Sequence, residues 1–239
     1  MALRVGVHPV LEALRARRPL SRVVVAKGAT LHRLQEIIDL CRQQSVPVRF
    51  ESREALDRLS RGAAHQGVIA VGAAQQYCEL EEALEGARLL VVLDGIEDPH
   101  NLGAIIRTAH AAGAAAVVVP ERRAAPLTET VAKAAAGALE HLPVARVGNL
   151  NRALETLKER GFWIYGLDER GAYAYDAIDY AQPAAFVLGA EGHGLHEQVR
   201  KHCDWLVRIP LAGNLPSLNV SVAAGIVLFE WKRRCGQPG

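Results

Sequence analysis

The stretch LLVVLDGIEDPHNLGAIIRTA, residues 89–109, decides the fold of this chain. It opens with five apolar residues, 89–93, passes through a polar turn, and ends in apolar residues at helical spacing. An uninterrupted apolar run of this length predicts a strand that is buried on both faces, as in parallel sheets. Polar residues that follow such a strand lie at the carboxyl edge of the sheet, where α/β proteins bind ligands.

The alternation of strand and helix continues to the end of the chain. Strands are predicted at 115–119, 142–147, 162–167, 185–188 and 206–209, and helices at 101–112, 128–136 and 219–234. This alternation favours the α/β class, with a mostly parallel sheet covered on both faces. We assign residues 88–239 to this domain. The side chains near its last helix that we expect in the core are Leu218, Val220, Val222 and Ala223.

The first 75 residues predict a separate and smaller α/β domain. Helical spacing covers 8–17, 31–44 and 53–59, and strand patterns cover 22–26, 46–50 and 67–72. Residues 76–87 are polar and acidic without a strand pattern, so we predict a linker there, with room for a short helix. The predicted organisation is therefore 1–75, a linker at 76–87, and 88–239.

Charge is distributed unequally between these parts. Residues 1–75 carry 12 basic and 6 acidic residues, whereas the rest of the chain carries 16 basic and 20 acidic residues. A basic domain on a nearly neutral chain is typical of a module that faces a polyanion. A solvated basic surface explains the same numbers, so charge alone leaves both interpretations open.

Several classes of protein are disfavoured by composition and motifs. The four cysteines, Cys41, Cys78, Cys203 and Cys235, include no CxxC pair, which argues against a zinc site or a disulfide framework and fits a reducing cytoplasm. No apolar run reaches the roughly 18–20 residues that a membrane span needs, and the N-terminus lacks a secretory signal pattern. The GxGxxG, Walker A, HExxH and GxSxG patterns are absent.

Three segments contain polar residues and glycines that packing alone does not explain. In the first, residues 94–109, Asp98 and Asn101 can turn and cap the following helix. Gly103 permits close backbone approach, and Arg107 falls inside the helix. A capped helix with an exposed arginine explains this segment as well as a binding site does.

The other two segments follow later strands. Residues 186–195, FVLGAEGHGL, end a strand in three glycines around Glu191. Glycines at such a position permit positive φ and leave backbone N–H groups free to meet a ligand. Residues 207–221, VRIPLAGNLPSLNVS, leave a strand through a polar loop, in which Ser217 could serve as a helix N-cap.

Together and in this order, the segments resemble the three motifs of the SpoU (TrmH-type) RNA 2′-O-ribose methyltransferases. NxGxxxRTA is matched at 101–109, LGxEGxGL at 188–195, and IPMxGxxxSLNVS at 209–221, where Leu211 replaces the usual methionine and Pro216 precedes the serine. The front domain, through VGVHPVLEAL at 5–14 and AHQGVIAVG at 64–72, is similar to the substrate-binding domain of the 23S rRNA guanosine 2′-O-methyltransferase subgroup.

The resemblance implies a fold and a cofactor. The fold would be an α/β knot, in which the C-terminal segment threads through a loop. The protein would act as a homodimer with its site near the subunit interface, and it would need S-adenosylmethionine but no metal. By motif position, the cofactor-binding residues would be Gly189, Ile209, Leu218, Leu188, Gly192 and Leu211.

The implied reaction is methyl transfer to a ribose 2′-hydroxyl of a guanosine in 23S rRNA. Arg107 would activate this hydroxyl, either by taking its proton or by staying charged, gripping a phosphate and stabilising the alkoxide; a free guanidinium is a poor base. Asn101 and Asn219 would hydrogen-bond the nucleotide or Arg107. Glu191 would hold cationic groups in position, and Ser217 would contact the ribose or a phosphate.

Three other functions fit parts of this pattern. The same chemistry could act on tRNA, which the sequence does not exclude. A non-catalytic RNA-binding or ribosome-assembly protein could keep the fold, although the presence of Asn101, Arg107, Glu191, Ser217 and Asn219 argues against it. A base methyltransferase on the same knot is disfavoured, because the NxGxxxR motif marks the ribose-directed branch.

Overall fold

The computed structural model describes residues 3–18, 20–29, 31–72, 77–190, 192–213 and 217–235, with the backbone alone at 31–33. The chain folds into two compact units, with the boundary between residues 76 and 77. Within the described ranges, no helix is long and apolar enough to cross a membrane.

The first unit is a four-stranded sheet with helices on both faces. Its strands are β1 (Leu3–Val5), β2 (Leu20–Ala26), β3 (Val48–Glu51) and β4 (Val68–Gly72), in the order β1-β4-β2-β3. Its helices are α1 (Val7–Arg15), α2 (Leu31–Gln43) and α3 (Arg53–Ser60). Alternate residues of β2 point to opposite faces, so Val23 and Val25 pack with α1 and α2, whereas Val24 packs with Leu56 of α3.

The second unit is built on a seven-stranded sheet in which every observed pairing is parallel. Its strands are β5 (Leu89–Asp94), β6 (Ala116–Pro120), β7 (Val144–Val147), β8 (Trp163–Leu167), β9 (Tyr173–Ala174), β10 (Ala184–Gly189) and β11 (Trp205–Arg208). Their order in the sheet is β7-β6-β5-β10-β8-β11-β9. The expected α/β class with a mostly parallel sheet is confirmed, and the threaded knot stays a prediction.

Helices cover both faces of this sheet. They are α4 (Leu80–Leu84), α5 (Pro99–Ala112), α6 (Glu129–Ala135), α7 (Leu150–Glu159), α8 (Glu197–His202) and α9 (Val220–Cys235). Leu89, Val91 and Leu93 of β5 pack in one core with α5, α6 and α9, and the alternate residues Leu90 and Val92 pack in the other with α4, α7 and α8. Both faces of the sheet are therefore buried from solvent, which is why the strand sequences are uninterrupted apolar runs.

Residues 77–87, where the sequence pattern predicts a linker, pack onto the second unit. Cys78 accepts a backbone hydrogen bond from Arg146 and donates one to Val144. Leu80 and Leu84 are buried in the core of that unit. Their spacing gives the short α4 an apolar face in an otherwise acidic stretch.

Val222 was predicted to lie in the core, and that prediction is wrong. Its side chain is 52% exposed, and the side chain of Phe229 is 46% exposed. The buried residues Val220, Ala223 and Val227 define the inner face of α9. The helical period of 3.6 residues places positions 222 and 229 on the opposite face.

Some elements were not predicted from the sequence. Strands β1 and β9 have three and two residues, and α8 has six, so each is too short to show a period. Helix α7 was also missed, although Leu150, Leu154 and Leu157 stand at helical spacing and are buried. The remaining elements begin and end within a few residues of the predicted bounds.

Gly103 allows close approach, as expected, but the approaching group is a neighbouring helix. A Cβ at position 103 would lie 2.4 Å from Cβ of Ala134 and 2.7 Å from the carbonyl oxygen of Val131, both in α6. The absence of a side chain therefore lets α5 and α6 pack tightly. This glycine acts on the position of α5, the helix that carries Asn101 and Arg107.

Candidate active site

The sheet order creates a ligand-binding crevice at its centre. From β5 the chain runs outward through β6 to β7, and the later strands β10 and β8 lie on the other side of β5. Parallel α/β sheets bind ligands where the strand order reverses, beyond the carboxyl ends of the strands. Here that position lies between Asp94 at the end of β5 and Gly189 at the end of β10, which are paired in register.

A cavity of about 490 Å³ opens beyond β8, β10 and β11. Its volume falls in the range of ligand pockets, roughly 300–1,000 Å³. Ser217 lines this cavity. All the residues predicted to bind the cofactor line it as well: Leu188, Gly189, Gly192, Ile209, Leu211 and Leu218.

The turn after β10 has a shape that only glycine allows at two positions. A Cβ at Gly189 would lie 2.2 Å from the carbonyl carbon of Gly194, and the N–H of Gly194 donates to the carbonyl of Ala190 at 2.9 Å. Gly194 itself has a φ of 66°, in the left-handed region. The chain therefore folds back on itself at the edge of the cavity. Glu191, a predicted catalytic residue inside this turn, lies outside the described residues.

Asn101 and Asn219 are brought together although 118 positions separate them in the chain. The amide nitrogen Nδ2 of Asn219 donates to Oδ1 of Asn101 at 2.9 Å, and Asn101 is only 8% exposed. The residue that caps α9 is Asn219, whose Oδ1 accepts from the N–H of Ser221 at 3.0 Å; Ser217 does not fill this position. At the start of α5 the cap is Asp98, and Asn101 lies inside the helix.

Arg107 is placed apart from the cavity within a single chain. Its side chain is exposed, and it lines neither this cavity nor the neighbouring one. It makes no hydrogen bond or ion pair within the described ranges. It is six positions after Asn101, about 240° around the helix, so the two side chains leave α5 in different directions.

A hydrogen-bonded chain that sequence reasoning missed joins Asp94, His196 and Arg123. Asp94 is 5% exposed and accepts from the backbone N–H and from Nδ1 of His196, both at 2.8 Å. Nη1 of Arg123 lies 2.9 Å from Nε2 of His196. Because a guanidinium only donates, Nε2 must accept and Nδ1 must carry the proton. The one local signal was the position of Asp94 directly after a buried strand.

His196 and Arg123 of this hydrogen-bonded group border a second cavity of about 630 Å³. Asn101 also lines it, and so do the acidic side chains of Glu97 and Asp98. His193, Gly194 and Val220 line both cavities, so the two are neighbours. The arrangement offers space for two groups on either side of the glycine turn.

The half-buried thiol of Cys203 is unsuited to nucleophilic chemistry. Burial raises the pKa of Cys203 to about 12, and its Sγ donates to the carbonyl of Val199 at 3.4 Å. The thiol therefore stays protonated at neutral pH. In the ranges that the structure describes, no group of three or more His, Cys, Asp or Glu residues could hold a metal ion.

Both units match families of RNA-modifying enzymes. Residues 88–229 match the SpoU rRNA Methylase family. Residues 5–78 match the family described as RNA 2′-O ribose methyltransferase substrate binding. Among curated relatives, the chain is 42% identical over 236 residues to YacO of Bacillus subtilis, described as a TrmH family tRNA/rRNA methyltransferase; the match covers 96% of this chain and 94% of YacO.

Solved structures show the same fold with the cofactor. An AdoMet-bound rRNA methyltransferase from Sinorhizobium meliloti superimposes with a TM-score of 0.75 at 27% identity, covering 98% of this chain and 87% of that one. The SpoU methyltransferase AviRb from Streptomyces viridochromogenes, in complex with AdoMet, superimposes with a TM-score of 0.72 at 26% identity, covering 97% and 89%.

Proposed function

Because the chain belongs to the SpoU (TrmH-type) family of RNA methyltransferases and uses S-adenosylmethionine, we propose that it methylates the ribose 2′-hydroxyl of a guanosine in 23S rRNA. The observation that supports this most is the convergence of the three sequence motifs. The second and third motifs line one cavity of about 490 Å³. The first motif is joined to the third through the hydrogen bond between Asn101 and Asn219.

The cavity residues fit the proposed cofactor. Leu188, Ile209 and Leu218 offer apolar surface for a purine, and the glycine turn offers backbone N–H groups. S-adenosylmethionine, when bound, supplies an electrophilic methyl group on a sulfonium. The family's threaded topology, which we propose for residues 88–239, would hold the walls of the cavity in fixed positions.

We propose that the second cavity receives the target nucleotide. A 2′-hydroxyl is a weak nucleophile and must lose its proton as it reacts. We assign Arg107 the role of a charged anchor that grips a phosphate and stabilises the developing alkoxide, because a guanidinium is a poor general base. Asn101 and Asn219 hold the rim of the cavity through their mutual hydrogen bond. Ser217 contacts the ribose or a phosphate, and Glu191 positions cationic groups.

Arg107 reaches the site through a homodimer in this proposal. Its neighbour in the chain, Thr108, lies at the contact between α5 and α9, since a Cβ at Gly225 would lie 3.8 Å from Cγ2 of Thr108. Val222 and Phe229 expose apolar side chains on the outer face of α9. Exposed apolar surfaces of this kind mark interfaces. A second copy seated there would bring its Arg107 towards the cavity of the first.

Changing both exposed apolar residues to charged ones should abolish the dimer. We expect the unaltered protein to sediment at about twice the 25.8 kDa chain mass, and Val222→Asp/Phe229→Glu to sediment as a monomer, because buried unpaired charges at an interface cost several kcal/mol. Phe50→Glu is the matched control, since Phe50 is 49% exposed in the first unit. A monomeric unaltered protein would contradict the proposed arrangement.

The first unit is proposed to grip the RNA. A cavity of about 650 Å³ on this unit is bordered by Arg15, Arg17 and Arg18. Arginine pairs well with phosphate oxygens. The match of residues 5–78 to a substrate-binding family supports the same role.

The experiment that tests the substrate is methyl transfer from labelled S-adenosylmethionine to protein-free 23S rRNA, 16S rRNA and tRNA in parallel. We expect label on 23S rRNA at one ribose linkage that resists alkali, because a 2′-O-methyl group blocks attack on the neighbouring phosphate. Label on tRNA alone would keep the enzyme and overturn the ribosomal assignment. Cofactor binding without transfer to any RNA would point to assembled particles as substrate, and no cofactor binding would favour a non-catalytic protein.

A further inference from the structure

Charged side chains line part of the proposed cofactor cavity, and the family motifs do not include them. They come from two elements, the loop that follows β8 and the helix α8. Asp168, Glu169 and Arg170 belong to the loop, and Glu197 and Arg200 belong to α8. The remainder of the lining is largely apolar or glycine. The cavity therefore offers both an apolar surface and a group of opposite charges.

Asp168 is buried and incompletely hydrogen-bonded. It is 8% exposed, and its Oδ1 accepts from the backbone N–H of Arg170 at 2.8 Å. Its Oδ2 lies 3.7 Å from Nη1 of Arg200, which is longer than a hydrogen bond. Within the described ranges Oδ2 accepts no hydrogen bond. Because buried carboxylates are normally fully paired, this oxygen has capacity for a donor from a ligand.

The loop that carries Asp168 is rigidly held. The N–H of Asp168 donates to the carbonyl of Val207 at 3.0 Å, and Nη1 of Arg208 donates to the carbonyl of Gly171 at 2.7 Å. A Cβ at Gly171 would lie 2.6 Å from the carbonyl carbon of Val207, so the loop contacts β11 directly. The carboxylate is therefore held in place before any ligand arrives, which reduces the cost of binding.

We propose that Asp168 and Arg200 bind the methionine part of S-adenosylmethionine. Asp168 accepts a hydrogen bond from the α-ammonium through Oδ2, and Arg200 pairs with the α-carboxylate. This inference rests on the proposed position of the cofactor in the cavity. The α-ammonium and α-carboxylate are borne by one carbon atom, which matches two protein charges 3.7 Å apart. The cofactor ribose is neutral and would leave the charge of Arg200 without a ligand partner.

The proposal is tested by removing the matching groups from protein and ligand. S-adenosylhomocysteine and 5′-methylthioadenosine are both thioethers, and only the first carries the amino-acid group. We expect Asp168→Asn to weaken the binding of S-adenosylhomocysteine by about tenfold or more, as for a lost charged hydrogen bond. The affinity for 5′-methylthioadenosine should stay unchanged. Titration calorimetry measures both. Retained 5′-methylthioadenosine binding also shows that the variant is folded.

Arg200 is tested with a ligand that lacks only the carboxylate. Arg200→Met should weaken the binding of S-adenosylmethionine by about tenfold and leave the affinity for decarboxylated S-adenosylmethionine unchanged. Asp168→Asn should weaken the binding of both ligands. Asp179→Asn removes the same charge from a fully exposed position of the same unit and should affect none of the ligands.

Two results would overturn the inference, and they differ from a failure of the proposed function. If Asp168→Asn lost affinity equally for both thioethers, this carboxylate would lie at the ribose or the adenine. If the variant kept its affinity for both, the carboxylate would not touch the cofactor. If the unaltered protein bound neither thioether, the proposed cofactor cavity itself would be wrong.

Discussion

Replacing Arg107 by alanine should lower the rate constant for methyl transfer by about 10²- to 10³-fold, the usual effect of losing one donor that stabilises a developing oxyanion. The dissociation constant for S-adenosylmethionine should stay unchanged, because the proposed partner of Arg107 is a phosphate of the target nucleotide and not the cofactor. Single-turnover transfer of labelled methyl groups to the RNA substrate measures the rate constant, and calorimetry measures the dissociation constant.

The exposure of Arg107 makes this variant easy to interpret. The side chain is on the solvent face of α5 and makes no hydrogen bond or ion pair in the described part of the chain, so truncation should leave stability within about 0.5 kcal/mol. Arg152→Ala, an exposed arginine on α7, controls for the loss of one positive charge and should retain full activity. Full activity of Arg107→Ala would remove Arg107 from the mechanism.

Arg107→Lys separates the two roles that the motif leaves open. A charged anchor should keep part of its effect as lysine, since an ammonium still pairs with phosphate but loses the bidentate geometry. In that case the ratio of the methyl-transfer rate of Arg107→Lys to that of the unaltered protein should not change between pH 7 and 9. A ratio that changes steeply with pH would show that the group at position 107 takes the proton itself.

Replacing Gly189 by alanine should weaken S-adenosylmethionine binding by about 100-fold, because a displaced turn loses two or more of its hydrogen bonds to the cofactor and each tenfold loss corresponds to about 1.4 kcal/mol. The added Cβ would lie 2.2 Å from the carbonyl carbon of Gly194 and 2.5 Å from the amide nitrogen of Leu195. Both are backbone atoms, which cannot move without reshaping the turn. Calorimetric titration of the purified variant measures the loss.

The same substitution should also reduce the free energy of unfolding by about 2–4 kcal/mol, because β10 lies at the centre of the sheet and the turn must move to admit the methyl group. Urea unfolding measures this change. Gly148→Ala is the control, since a Cβ there would meet only Oε2 of Glu121, at 3.8 Å. Normal affinity and stability in Gly189→Ala would show that the turn adapts, contrary to this structure.

The sequence determined the fold class and the family because both depend on local patterns. The apolar runs of β5 and β10 and the helical spacing of α5 predict a parallel sheet covered on both faces. The glycines of the turn at 189–194 and the motif residues that line the first cavity were also predictable. Each of them stands within a short motif whose order along the chain marks the family.

Only the tertiary structure decided which distant side chains meet. Asn101 and Asn219 are 118 positions apart, and Asp94 and His196 are 102 apart. Their pairing depends on the strand order, which brings β5 beside β10, and a periodicity of two or 3.6 residues carries no information about that order.

The sequence also did not show that Arg107 and Val222 point outward, or that Asp168 lies in the cavity. The reason is again that packing between distant segments decides these positions. When a helix carries apolar residues on more than one side, packing against the neighbouring elements decides which side is buried. For α9 the inner face is chosen by the sheet and α5, which leaves Val222 and Phe229 exposed. For Asp168 the deciding element is β11, which holds its loop against the cavity through the carbonyl of Val207.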